Sequence, residues 1–201
     1  MRSIAPRLLA IFAGLLFVAP ASARDRASCA QALRSLGYSP TEASRMVRLG
    51  PQFASAVIAR AEPARCYYRG LMVAPQLYQF DRLAVNFTPA LNVAKRYSGG
   101  GLFDERLRGQ YAYLVMEYKL PPALVGHDSR HHAHFVRGQH WQDERAVISR
   151  VGVVLKQPGV TSEQSPMAFL DYKEAFRPDG VMKTAAELQA LARARLVAGP
   201  R

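Results

Sequence analysis

The chain has 201 residues, of which 27 are lysine or arginine and 15 are acidic, giving a formal net charge of +12. This length suits a single domain that can bury a sizeable core. The positive charge favours anionic partners, but the arginines are scattered and no run of like charges is interleaved with aromatic residues, so we expect no nucleic-acid partner.

Residues 1–23 have the three parts of a secretory signal peptide. The basic stretch MRSIAPR precedes the apolar run LLAIFAGLLFVAP, and Ala21-Ser22-Ala23 follows as a small-residue cleavage site. The run is shorter than the ~20 residues that a spanning helix needs, and no later stretch replaces it. We therefore predict cleavage near Ala23, a secreted or periplasmic mature protein with a net charge of +10, and no stable membrane span.

The two cysteines, Cys29 and Cys66, are an even pair in a chain predicted to be exported. In an oxidising compartment such a pair most simply forms a disulfide. The alternative is two unrelated buried thiols.

The predicted elements change from helices to strands along the chain. Helices are expected at 28–36, ending at Gly37, then from the capping box Ser39-Pro40-Thr41-Glu42 to Gly50-Pro51, and at 52–61. Strands are expected at 66–73, 82–87, 110–120, 146–155 and 167–172, with helices at 89–98, capped by Thr88-Pro89, and at 185–196.

This order indicates an α+β domain. We divide the single domain 24–201 into a helical N-terminal segment (24–64), a core (65–155) and a C-terminal strand and helix (156–201). In the 110–120 strand, alternation places Ala112, Leu114, Met116 and Tyr118 on one face and Tyr111, Tyr113, Val115 and Glu117 on the other.

Three short polar motifs lie at the edges or ends of predicted strands: Tyr68-Arg69-Gly70, Asn86-Phe87-Thr88 and Gln142-Asp143-Glu144. Taken one at a time, they fit a surface arginine, a strand running into a capped helix, and a polar turn. Their order and spacing along the chain are more informative than any one motif alone.

The segments that carry these motifs are CYYRG, VNFTPALNVAKRY, QYAYLVMEYKLPPAL and WQDERAVISRVGVV. Over residues 65–155 they resemble the ADP-ribosyltransferase fold, in the branch shared by the catalytic subunits of cholera and pertussis toxins. That branch has an arginine on its first core strand, Ser-Thr-Ser at a strand-to-helix junction and Glu/Gln-x-Glu before a later strand. Asn86 departs from the pattern, because it stands at the first serine.

The resemblance implies a split β-sheet core and a secreted NAD-dependent mono-ADP-ribosyltransferase or NAD glycohydrolase, either a toxin or an effector. NAD is then the substrate, and the acceptor is an unidentified protein. Glu144 is implied as the catalytic carboxylate and Gln142 as the residue that orients the acceptor. Arg69 is implied to hold the NAD pyrophosphate, while Asn86 and Thr88 shape the nicotinamide pocket.

A competing interpretation comes from five histidines within fourteen residues: His127, His131, His132, His134 and His140, with Asp128 beside them. Such imidazoles suit zinc, copper or nickel. The spacing fits no named zinc motif, however, and solvated loop histidines are the simpler explanation. The alternative function is thus a catalytically inactive relative or a metal-binding exported protein.

A toxin of this length would also depend on another protein for delivery, and an immunity partner would be expected.

Overall fold

A computed structural model describes residues 23–80, 86–99, 109–129, 133–136 and 143–199. Outside the described residues lie positions 1–22 of the predicted signal peptide (1–23), most of the predicted 82–87 strand, and Gln142. So do His131, His132 and His140.

Three helices open the described chain: α1 (Ala23–Ser35), α2 (Pro40–Leu49) and α3 (Pro51–Arg60). The capping box predicted for α2 is present, since the Ser39 side chain accepts from the backbone N–H of Glu42 and the Glu42 side chain accepts from that of Ser39. Gly37 has a φ of +93°, which only glycine adopts readily.

The described ranges then contain six strands: β1 (Arg65–Val73), β2 (Ala112–Leu120), β3 (Val125–Asp128), β4 (Ala133–Val136), β5 (Ile148–Val154) and β6 (Met167–Asp171). Four of them form an antiparallel sheet in the order β1-β2-β5-β6. The helices and antiparallel sheets together confirm the α+β class.

β3 and β4 form a separate antiparallel pair that the sequence did not predict. Residues 86–88 connect this pair to the large sheet. Thr88 exchanges two backbone hydrogen bonds with Tyr68 on β1, at 2.7 and 2.8 Å. Phe87 exchanges two with His134 on β4, at 3.2 and 2.8 Å. The second polar motif therefore lies where the two sheets meet.

Three further helices complete the described chain: α4 (Leu91–Tyr97), α5 (Tyr172–Ala175) and α6 (Ala185–Ala198). The predicted cap of α4 is wrong, because its N-cap is Ala90 and no side chain caps it. The hydroxyl of Thr88 instead accepts a hydrogen bond from the Ala90 N–H at 3.1 Å, which tightens the turn before the helix.

The large sheet has one face in the main core and one face against α4. The predicted alternation of β2 holds, since Leu114, Met116 and Tyr118 are buried in the main core. Val115 belongs instead to a small cluster with Ala94 of α4. The predicted disulfide is not formed: both thiols are free. Strand alternation puts Cys66 on the α4 face, whereas Cys29 packs against the main core on the other face.

None of the helices in the described ranges is long and apolar enough to cross a membrane.

Candidate functional site

Glu144 opens a 3-10 turn, Glu144–Ala146, that leads into β5. The Asp143 side chain caps this turn by accepting from the backbone N–H of Arg145 at 2.9 Å. The Glu144 N–H donates to the carbonyl of Phe80 at 2.9 Å. These bonds hold Glu144 in place, and its side chain is 0% exposed. Burying a carboxylate costs free energy unless it gains hydrogen-bond or charge partners.

Two tyrosine hydroxyls supply that compensation. Tyr118 donates to Oε1 of Glu144 from the core face of β2, and Tyr78 donates to Oε2 at 2.8 Å. Because β2 pairs with β5, the strand register itself carries Tyr118 to the carboxylate that precedes β5. Tyr78 lies just after the 3-10 turn Pro75–Leu77, which follows β1.

Arg69 connects this buried carboxylate to the surface. Its Nη1 donates to the hydroxyl of Tyr78 at 2.9 Å and lies 3.8 Å from Oε1 of Glu144. The Arg69 side chain is 23% exposed. The structure thus brings together the first and third predicted motifs, which are far apart in sequence, through one tyrosine.

The electrostatics of the group follow from its burial. Burial raises the pKa of Glu144, and it outweighs the opposing hydrogen bonds from Tyr118 and Tyr78 and the nearby charge of Arg69. Burial and the adjacent Glu144 also raise the pKa of Tyr78 and of Tyr118. Both tyrosines therefore stay protonated at neutral pH and remain hydrogen-bond donors to the carboxylate.

The remaining predicted residues line an open cleft of about 410 Å³ beside Arg69. Asn86 and Thr88 form one wall, and Asn86 is exposed with a φ of +84°. Arg69 belongs to this cleft and to the Glu144 cluster at once. Four of the five predicted site residues therefore lie in one connected region, and the fifth, Gln142, falls outside the described part of the chain.

The opposite wall of the cleft is α4, which packs directly on the backbone of β1. A Cβ added at Gly70 would lie 1.9 Å from the carbonyl oxygen of Ala94 and 2.5 Å from the N–H nitrogen of Ser98. Only glycine permits this approach. The glycine of the Tyr68-Arg69-Gly70 motif thus sets the distance between α4 and the arginine strand.

Sequence reasoning missed Tyr78, Tyr118 and Arg145. Arg145 makes a bidentate ion pair with Asp143, with Nε and Nη2 at 2.9 and 2.7 Å, and its Nη1 donates to the carbonyl of Gly180 at 3.1 Å. It anchors the Glu144 turn to the chain after α5. Tyr118 left a usable signal, because a tyrosine on the apolar face of a buried strand needs a hydrogen-bond partner.

The histidine segment is only partly described. His127 and His134 face each other across the β3–β4 pair with ring centroids 4.8 Å apart. Burial and the neighbouring His127 lower the pKa of His134. Among the described residues, no group of three histidine, cysteine or acidic side chains is arranged to hold a metal ion.

Comparison of the chain with models of known protein families, with characterised proteins and with solved structures finds no match to any of them.

Proposed function

We propose that the protein is an exported enzyme that binds NAD in the cleft beside Arg69 and breaks its nicotinamide–ribose bond at Glu144. The observation that carries the proposal is the contact of Arg69 with Tyr78 and Glu144, at the edge of a cleft lined by Asn86 and Thr88. A cation for phosphates, a polar wall and a buried carboxylate are thus connected through Arg69.

Cleavage of this bond builds positive charge on the ribose. The C1′–N bond breaks, its electron pair leaves with nicotinamide, and the sugar passes through an oxocarbenium-like transition state. A water molecule or an acceptor side chain attacks C1′ and loses its proton. Ionised Glu144 stabilises the charge and accepts a hydrogen bond from the 2′-hydroxyl, and a preorganised, desolvated carboxylate does this better than a solvated one.

The ribose reaches Glu144 by replacing one of the two tyrosine donors. Tyr118 is 1% exposed and fixed on a central strand, whereas Tyr78 is half-buried on the segment after a short 3-10 turn. We therefore assign Tyr78 as the donor that the 2′-hydroxyl displaces. When Tyr78 moves, Arg69 loses its hydrogen bond to the tyrosine hydroxyl and becomes available to the NAD pyrophosphate as a two-pronged donor.

The proposal includes the ADP-ribosyltransferase-like core that the motifs imply. The meeting of a four-stranded and a two-stranded antiparallel sheet at residues 86–88 is compatible with a split-sheet core. Transfer to a protein acceptor, oriented by Gln142, and hydrolysis of NAD are two outcomes of the same chemistry. Export, delivery and immunity partners belong to the same proposal, and an inactive NAD-binding relative is the alternative.

The test of the site is an NAD titration followed by calorimetry. Arg69→Gln should weaken NAD binding at least tenfold. Its melting temperature should also fall, because the arginine contacts Tyr78 and the buried Glu144, so circular dichroism must show that the variant is folded at the titration temperature. Arg193→Gln, a substitution of an exposed arginine on α6, is the matched control and should bind as the wild type does. Equal affinity in all three proteins, or no binding by the wild type, would refute the assignment of the cleft.

A further inference from the structure

A second groove, of about 780 Å³, has α2 as one wall. Its other wall is formed by α5 and the residues directly after it. Its charged lining consists of four cations: Arg45, Arg48, Lys173 and Arg177. Among the residues that the structure describes, no carboxylate lines it. It shares no residue with the proposed NAD cleft, which is lined by β1, α4 and residues 86–88.

One of these lining residues, Arg45, has a guanidinium that is held in one position. Arg45 is 5% exposed, and its Nη2 donates to the carbonyl of Ile148. Its Cζ lies 3.9 Å from the ring centroid of Tyr172, which in turn stacks on Phe176 at 4.1 Å with an interplanar angle of 11°. This arrangement fixes the Arg45 side chain before any ligand arrives.

The charge of Arg45 is incompletely compensated. Its buried Nε has no hydrogen-bond partner among the described residues. Burial lowers the pKa of Arg45, and it outweighs the opposing effects of Tyr172 and Glu42; the neighbouring Arg48 lowers the pKa further. Glu42, the carboxylate whose charge acts on Arg45, is already bonded to Lys119 at 3.0 Å and to Ser149 at 2.6 Å. A buried cation in these surroundings favours an anion beside it.

The outer cations of the groove are available to such an anion. Arg48 and Lys173 are exposed, and neither forms an ion pair within the described ranges. Arg177 is paired with Glu187 at 3.1 Å on the surface, where such pairs are weak and exchange readily. Two cations without an ion pair in the described ranges therefore line the groove together with one fixed guanidinium.

We propose that this groove is an anion-binding site that recognises a phosphoryl group through Arg45, Arg48 and Lys173. A groove lined by arginine and lysine side chains suits a doubly charged, multi-oxygen group, and the arginine fork matches phosphate geometry. The groove is much larger than one phosphate, so the phosphoryl group is carried by a larger molecule, either a free phosphorylated compound or a phospholipid headgroup at a membrane surface.

The test compares two charge-matched double variants of the mature protein. Arg48→Gln/Lys173→Gln removes the outer cations of the groove without touching the buried Arg45. Arg60→Gln/Lys156→Gln removes two exposed cations elsewhere. Inorganic pyrophosphate is titrated by calorimetry in 150 mM NaCl, and sedimentation is measured with vesicles of phosphatidylglycerol and of phosphatidylcholine.

Saturable pyrophosphate binding that falls at least tenfold only in the groove variant supports the site and a free phosphorylated ligand. Sedimentation with phosphatidylglycerol vesicles that is lost only in the groove variant supports the site and a lipid headgroup. Equal losses in both variants, or no binding by the wild type to either probe, would overturn the proposal. Pyrophosphate bound at Arg69 would survive in the groove variant, so this result is separable from the NAD proposal.

Discussion

Nη1 of Arg69 lies 3.8 Å from Oε1 of Glu144, and the Tyr78 hydroxyl joins the two side chains by accepting from the arginine and donating to the carboxylate. Arg69 belongs to an edge strand of the large sheet, and Glu144 precedes an inner strand. Their contact is therefore a product of the fold, and it defines the candidate site.

Replacing Tyr118 by phenylalanine should weaken both stability and activity. The change removes a buried donor to Glu144, and loss of one partner of a buried hydrogen bond costs about 1–3 kcal/mol. The remaining carboxylate is also harder to ionise, so the acid limb of the pH–rate profile should move to higher pH. Urea unfolding and the pH dependence of nicotinamide release measure the two effects.

The control for this substitution is Tyr113→Phe, on the opposite face of the same strand. It should leave the pH profile unmoved. An unshifted acid limb in Tyr118→Phe, despite a loss of stability, would mean that the hydroxyl only supports packing.

Two buried glutamates should give opposite dependences of stability on pH. Because the pKa of Glu144 is raised in the folded protein, its pH-dependent contribution to the free energy of unfolding is complete below the ordinary carboxyl pKa of about 4.3. That contribution is lost as the pH rises through the folded-state pKa. For Glu42, burial alone would raise the pKa, but the hydrogen bonds from Ser149, Ser39 and Lys119 outweigh it and lower the pKa. The contribution of Glu42 to the free energy of unfolding is therefore complete above the ordinary carboxyl pKa and is lost on acidification.

Urea unfolding of Glu144→Gln and Glu42→Gln between pH 4 and pH 7 measures these contributions. Relative to the wild type, the free-energy cost of Glu144→Gln should shrink as the pH rises. The cost of Glu42→Gln should grow over the same range. The same direction of change in both variants would contradict the assigned electrostatics.

Gly70→Ala should open or distort the cleft. The added methyl would overlap the backbone of α4 at Ala94, and such overpacking costs about 1–3 kcal/mol or more because backbone must move. We expect a lower melting temperature together with weaker NAD binding. A variant with wild-type melting temperature and affinity would show that α4 does not pack on β1 as described.

The free thiols give a rapid check of the fold. Denatured, unreduced protein should take up two equivalents of iodoacetamide, because Cys29 and Cys66 lie on different faces of the large sheet. Mass spectrometry counts the adducts. If the protein carried no adduct before reduction and two adducts after it, the result would show that Cys29 and Cys66 form a disulfide.

Local patterns predicted most of the regular structure. The Ser39 capping box and the alternating faces of the 110–120 strand are encoded within a few residues, and both predictions are confirmed. The β3–β4 pair was missed, because its strands are four residues each and its histidines read as a loop. The predicted Cys29–Cys66 disulfide is wrong for a related reason. It was inferred from the even number of cysteines, which takes no account of the sheet face on which each residue lies.

The candidate site was predictable only in part. Arg69, Asn86, Thr88 and Glu144 came from short motifs whose order resembles a known pattern. Tyr78 and Tyr118 carry no motif, and their role depends on strand register and on the path of the chain after β1. The burial of Glu144 was likewise invisible in a polar tripeptide, because it arises from the Phe80 contact and the tyrosines around it.

The measurement that tests the central claim most directly is nicotinamide release from NAD by the purified mature protein and by Glu144→Gln. We expect release by the wild type and a loss of at least ~10²-fold in the variant, the scale seen when one preorganised electrostatic group is removed. Glu163→Gln, at the surface ion pair with Arg96, should retain full activity. No release by the wild type, or equal release by wild type and Glu144→Gln, would contradict the account.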